Sequence, residues 1–254
     1  MVDMRNEAMA VYAVLLREFR RFYRDRSTLI GSMARPLIWF FVIGGGIGAA
    51  TELEGVGVDY YTFIAPGIVG MTVLFTSLFS GVSVIWDREF GFLKEMLVAP
   101  VSRMSIVIGK ALGGAAASLL QSGVIIAFAY AVGVQFTTAS LLSMLPLVVV
   151  MSVGFTAMGL TIASFMDTME GFNVIMNFIV MPMFLLSGAL FPISATSGVM
   201  SALVRVNPMT YGVDALRYAA IGVSSAGPAL SMSVMLAFTA AMSVVASAAF
   251  SRRK

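Results

Sequence analysis

Cysteine and histidine are both absent from the 254 residues. Disulfides, Cys/His metal sites and thiol nucleophiles are thereby excluded, and the commonest general base is missing. Charge is scarce as well. Asp, Glu, Lys and Arg make up 11% of the chain, against about 25% in a soluble domain. Hydrophobic residues reach 59% and the mean hydropathy is +0.94, which excludes a cytosolic globular enzyme. Disorder, which needs low hydrophobicity and high net charge, is excluded too. No stretch fits G-x-x-x-x-G-K-[ST]: Gly109-Lys110 is followed by Ala111 and has no glycine five residues before Gly109. A phosphate-cradling loop is therefore missing. Gly44-Gly45-Gly46-Ile47-Gly48-Ala49 has the spacing G-x-G-x-x-A, but it lies in an apolar block with no strand before it.

Long apolar runs are what the chain has. A membrane-spanning helix needs about 20 apolar residues, and six blocks qualify: Ser27–Ala50, Thr62–Trp86, Ser105–Val134, Ala139–Met166, Phe172–Phe191 and Ala229–Phe250. The predicted fold is an all-α integral membrane protein. An N-terminal arm over 1–26 precedes a six-span domain over 27–254. Charge distribution orients it. Of the 16 Lys and Arg residues, all but Arg205 and Arg217 fall on one side of this topology. By the positive-inside rule both termini are cytoplasmic. A cleaved leader is disfavoured, because the charged N-terminal region is long and further spans follow.

Three stretches lie outside the spans. Residues 8–26 read as an amphipathic helix. Arg17, Arg20, Arg21 and Arg24 form one basic stripe, and Val11, Leu15, Phe19 and Phe22 fall opposite. Such a helix lies at the membrane interface with its arginines toward anionic lipid headgroups, and it can also contact a cytoplasmic partner. Residues 87–104 are densely polar but carry Phe90, Phe92, Leu93, Met96 and Leu97. A solvated loop gains nothing from these apolar side chains. A short helix presenting them suits docking into a partner's groove. Residues 188–228 exceed what a simple external loop needs. Asn207-Pro208 marks a turn, and Asp214 and Arg217 at i, i+3 are spaced to pair. This segment either dips back into the membrane edge or lies as a helix on the outer surface.

Inside the blocks, the polar side chains of note are Gln121, Asn173 and Asn177, and the central parts of spans two to six hold no acidic residue. Proton relays place Asp, Glu or His there, so proton coupling is disfavoured; sodium coupling through carbonyls and hydroxyls stays open. An intramembrane enzyme is poorly supported, since acid pairs occur only in loops. Gly44 with Gly48, and Gly109 with Gly113, are G-x-x-x-G pairs that allow close helix packing.

The chain resembles ABC transporter permeases of the type-2 exporter class, close to the daunorubicin-resistance and nodulation-type branch. The resemblance is carried by Arg17-Glu18-Phe19, Arg24-Asp25, Pro66-Gly67 and the whole stretch from Asp87 to Pro100. Glu170-Gly171-Phe172-Asn173, the run from Leu186 to Pro192, and the run from Asn207 to Arg217 complete it. It implies a permease working as a pair of six-span subunits in a prokaryotic plasma membrane. A separate subunit would bind ATP and Mg, with no cofactor on this chain and no nucleic-acid partner. It maps the coupling helix gripped by that ATPase onto Phe90 to Pro100, with Glu89, Phe90, Gly91, Leu93, Lys94, Glu95 and Pro100 as candidate contacts. It maps re-entrant helices onto the stretch holding Asn207, Pro208, Asp214 and Arg217. The substrate path would run between subunits along spans two and five, with Asn173, Asn177, Phe178 and Met181 as candidates. The expected cargo is a drug-like or lipid-linked amphipath. A polysaccharide or lipooligosaccharide exporter, and a membrane anchor or sensor that does not transport, are the alternatives.

Overall fold

The computed structural model describes residues 4–48, 58–91, 98, 101–166, 168–193 and 198–252, and among them no strand occurs. The helices in chain order are α1 (Met4–Arg24), α2 (Arg26–Gly48), α3 (Tyr60–Gly81) and α4 (Ser83–Glu89). They are followed by α5 (Arg103–Ala131), α6 (Thr138–Phe165), α7 (Met169–Ile175), a π-helical turn (Met176–Val180) and α8 (Met181–Leu185). Then come α9 (Gly198–Val206), α10 (Pro208–Ile221) and α11 (Pro228–Arg252).

Helix starts follow local chemistry. The hydroxyls of Ser102, Thr137 and Thr168 accept from the third backbone N–H onward at α5, α6 and α7. Asp59 caps α3 and Asn207 caps α10, where Pro208 opens the first turn. Each cap satisfies a backbone donor that the helix leaves unpaired. Gly222, at φ +73°, ends α10 in the left-handed region that glycine enters without a Cβ clash.

Five apolar helical stretches are long enough to cross a bilayer: Leu29–Gly46, Tyr60–Asp87, Arg103–Ala131, Thr138–Phe165 and Pro228–Ala249. The predicted span over 172–191 forms differently. It is a shorter apolar run, Met169–Leu185, broken by the π turn just before Pro182. That gives roughly 25 Å of helix at 1.5 Å per residue, short of a ~30 Å hydrocarbon core. A proline cannot donate to the preceding turn, and a π turn is one way to absorb the misfit.

Helix α3 is the centre, packed against α2, α5, α6 and α10. From Phe63 to Leu78 every residue is buried. Small residues set the spacing, as expected where lipid removes the hydrophobic drive between helices. A Cβ added at Gly81 would fall 2.3 Å from the Gly159 carbonyl carbon, so α3 and α6 cross backbone to backbone. Several polar side chains in this core pair with one another. The hydroxyls of Ser77, Ser118 and Ser152 form a triangle of 2.8–3.2 Å, and Gln121 joins Thr76 to Ser32. An unpaired polar group in hydrocarbon costs several kcal/mol, which accounts for the clustering.

Candidate functional site

The N-terminal arm lies along the start of α5. The Gly109/Gly113 pair makes this possible: an added Cβ would sit 2.7 Å from the Val14 Cβ at Gly109 and 2.6 Å from the Glu18 Cβ at Gly113. The G-x-x-x-G spacing therefore serves as the arm's seat rather than as a contact between two spans. Val11, Val14, Leu15 and Glu18 form the seated face.

Seating the arm buries its glutamate, and a buried carboxylate needs a partner. Glu18 accepts a 2.8 Å hydrogen bond from the Nζ of Lys110, which is fully buried. The same ammonium donates to Asp87 at 2.7 Å and to the Ser83 hydroxyl at 2.8 Å, using all three of its protons. Asp87 also accepts from Arg17 at 2.6 Å and lies 4.0 Å from Arg21, whose guanidinium stacks 4.4 Å over Trp86. Three cations and two carboxylates thus tie the arm, the end of α4 and the start of α5 into one joint.

The basic stripe of the arm is consequently divided. Arg17 and Arg21 turn inward to Asp87, while Arg20 and Arg24 are exposed. The helical spacing put all four on one side. It carried no information on what stood beneath two of them. Glu18, Lys110 and Ser83 were missed as site residues. The available signal was a lone lysine at the head of an apolar block and a glutamate set between Arg17 and Arg20 in the arm.

The arm is fastened a second time at its tip. Glu7 accepts from the backbone N–H and the hydroxyl of Ser102, each at 2.7 Å, and from the Ser105 hydroxyl. The hydrogen bonds from Ser105 and then Ser102 hold the Glu7 carboxyl below its ordinary value of 4.5. A depressed carboxyl stabilises docking above the undocked value and loses that contribution as pH falls through the docked one. Protease access to the arm should therefore rise as pH drops below about 4.5. Glu7→Gln should flatten that rise; an unchanged pH profile would remove Glu7 as its cause.

From the docking stretch, residues 87–91, 98 and 101–104 are described. Phe90 is 73% exposed, directly after α4, and Gly91 turns the chain at φ +78°. Glu89 closes α4. Leu93, Lys94, Glu95 and Pro100 lie outside the described residues. Phe90 follows Asp87 by three residues, so the exposed ring and the charged joint belong to adjoining turns.

On the opposite end, α10 is buried against α3, α6 and α11. Asp214 and Arg217 do not bond to each other, contrary to their i, i+3 spacing. Asp214 accepts from the hydroxyls of Ser224 and Ser231 and from the backbone N–H groups of Ser225 and Ala226. Arg217 donates to Gly188 O at 2.8 Å and reaches Ala189 O and Phe63 O at 3.4 Å, with its guanidinium 4.0 Å over the Phe63 ring. Each charge finds backbone that the i, i+3 spacing does not reveal. Asn207 donates to Met183 O at 2.6 Å, which ties the start of α10 to α8.

The path candidates gather in part. Asn173, Asn177 and Met181 line a cavity of about 240 Å³ with Arg35, Trp39 and Phe75. Phe178 is 79% exposed and does not line it.

An all-helical bundle with apolar stretches of spanning length, a seated amphipathic arm and charge gathered at its ends defines a multi-pass membrane protein. The chain belongs to the ABC-2 type transporter family, whose model matches residues 9–221. It is 28% identical over 214 residues to a putative transport permease, ycf38, of Porphyra purpurea, covering 82% of this chain and 72% of that one. It is 27% identical to nodulation protein J of Rhizobium leguminosarum bv. trifolii, covering 77% and 75%. With the inner membrane transport permease YadH of Escherichia coli it shares 24% identity over 93% of each chain.

Proposed function

We propose that this chain is the membrane-spanning subunit of an ATP-driven exporter. Two copies, or this copy and a similar permease, pair in the plasma membrane with separate subunits that bind ATP and Mg. The cargo is a drug-like or lipid-linked amphipath, and it moves out of the cytoplasm between the paired permeases. In this reading Met169–Leu185 crosses the membrane as the sixth span, both termini are cytoplasmic, and the segment holding α9 and α10 re-enters from outside. Arg20 and Arg24 meet anionic headgroups while Arg17 and Arg21 hold the joint.

The observation that carries the proposal is the path from Phe90 to the arm. The exposed ring stands next to α4, α4 ends at Asp87 and Glu89, and Asp87 is tied to the arm and to α5 by Lys110 and Arg17. A push delivered at Phe90 by a closing ATPase reaches a span without passing through a flexible linker. Interface energy concentrates in buried anchors, and rim charges contribute less. Phe90→Ala and Leu93→Ala should each weaken co-purification of the ATPase by roughly tenfold or more, or leave hydrolysis running without transport. Lys94→Ala should do less. Measured at matched membrane levels, wild-type association and transport in both apolar variants would move the contact to the arm.

A further inference from the structure

Arg35 is used by neither the arm joint nor the bonds around α10. It lies in α2, about 9 Å into the apolar stretch Leu29–Gly46 at 1.5 Å per residue. Among the described residues it takes no hydrogen bond and no ion pair; its guanidinium rests 4.9 Å over the Phe75 ring. Its side chain is exposed, and an arginine placed there in an apolar helix either snorkels to the near interface or marks a functional site.

Two cavities meet at this side chain. One of about 400 Å³ lies between the arm, α2 and the α3–α4 stretch, and one of about 240 Å³ lies between α2, α3 and the α7–π segment. Arg35, Phe75 and Phe79 line both. The larger is mostly apolar and within the size range of ligand pockets. The smaller adds the amides of Asn173 and Asn177. The acids facing the larger cavity are Glu18 and Asp25. Glu18 is committed to Lys110, and Asp25 accepts from Ser27 at 2.7 Å. The cation facing both chambers therefore has no acid of its own. An apolar chamber, a polar chamber and a cation at their junction match a molecule with a tail and an anionic head.

We propose that Arg35, with Asn173 and Asn177 beside it, binds the phosphate or carboxylate head of a single-chain amphipath whose tail fills the larger cavity. This deepens the export reading by naming the charge of the cargo, and it rests on that reading for transport alone. Binding is a property of the permease by itself. The membrane's own anionic lipid carries the same headgroup chemistry.

The test uses the chain's two tryptophans, since Trp86 stands on the larger cavity and Trp39 on the smaller. The full chain is placed in phosphatidylcholine nanodiscs without any ATPase. It is titrated with dodecyl phosphate and with dodecyl maltoside, which has the same tail and a neutral head. Dodecyl phosphate should change the fluorescence saturably, and Arg35→Gln should weaken that binding by roughly tenfold or more. Arg35→Lys should retain most of it, which separates charge from misfolding. If phosphatidylglycerol in the disc blocks the response, the natural occupant is membrane lipid. If the response persists there, the occupant is a separate amphipath; either result upholds the anion site. Equal binding of dodecyl maltoside, or unchanged dodecyl phosphate binding in Arg35→Gln, would overturn it. Loss of the permease pair in Arg35→Gln with binding intact would instead assign Arg35 to the second copy. Because no ATPase is present, failure here leaves the export reading standing.

Discussion

Lys110→Met is expected to release the N-terminal arm and abolish transport. Lys110 is fully buried and satisfies Glu18, Asp87 and Ser83 at once. Methionine fills most of the same volume, so little is lost in packing. What remains is a pair of buried carboxylates with their shared cation gone. Arg17 still reaches Asp87, but among the described residues the weak 3.5 Å contact of Arg17 is what remains from a cation to Glu18. Breaking a buried ion pair from one side costs about 3–5 kcal/mol. The arm should become protease-sensitive, and the melting temperature in detergent should fall. Neutralising the joint as a whole with Glu18→Gln, Asp87→Asn and Lys110→Met should recover much of the stability, because no buried charge is then left unpaired. If Lys110→Met melts like the wild type with its arm protected, the joint does not hold the arm.

The second large effect is expected from Arg217→Met at the other end of the bundle. Arg217 is 1% exposed, and its donors serve the backbone carbonyls of Gly188, Ala189 and Phe63. These carbonyls belong to the turn after α8 and to α3, so one side chain closes the gap between them. Leaving a buried acceptor unsatisfied costs about 1–3 kcal/mol, and bonds from a charged donor are at the strong end. We expect a loss of about 3 kcal/mol. Transport should fall while the arm stays protease-resistant, which distinguishes this lesion from that of Lys110→Met. Arg217→Lys should be intermediate, since an ammonium keeps the charge but cannot span three carbonyls as a planar fork does. Wild-type stability in Arg217→Met would show that water or neighbouring groups satisfy those carbonyls.

Gly67 shows why close approaches of this kind escape a reading of one sequence. A Cβ added there would meet Ala189 O at 2.4 Å. Pro66-Gly67 is visible as a motif, but the turn it admits lies more than a hundred residues further on. The same holds for the arm's seat: Gly109 and Gly113 are legible as a spacing, and Val14 and Glu18 are not legible as its occupants.

Composition and hydropathy are local quantities, and what depends on them was determined by the sequence alone. The membrane class, the position of the apolar blocks, the amphipathic arm and the missing phosphate loop follow from residues within one or two turns of each other. The fifth block, expected as a span over 172–191, is a shorter apolar helical run, Met169–Leu185, and its shape was not legible because the π turn before Pro182 reflects how the helix fits its neighbours. Pairing across the fold was decided only by tertiary structure. Glu18 meets Lys110 across 92 positions and Asp87 meets it across 23. Asp214 and Arg217, three positions apart, bond elsewhere. Helical spacing states which side chains share a face. The partner of a buried charge is set by what that face is pressed against, and in a membrane bundle each such charge must find its counterpart wherever the packing brings one.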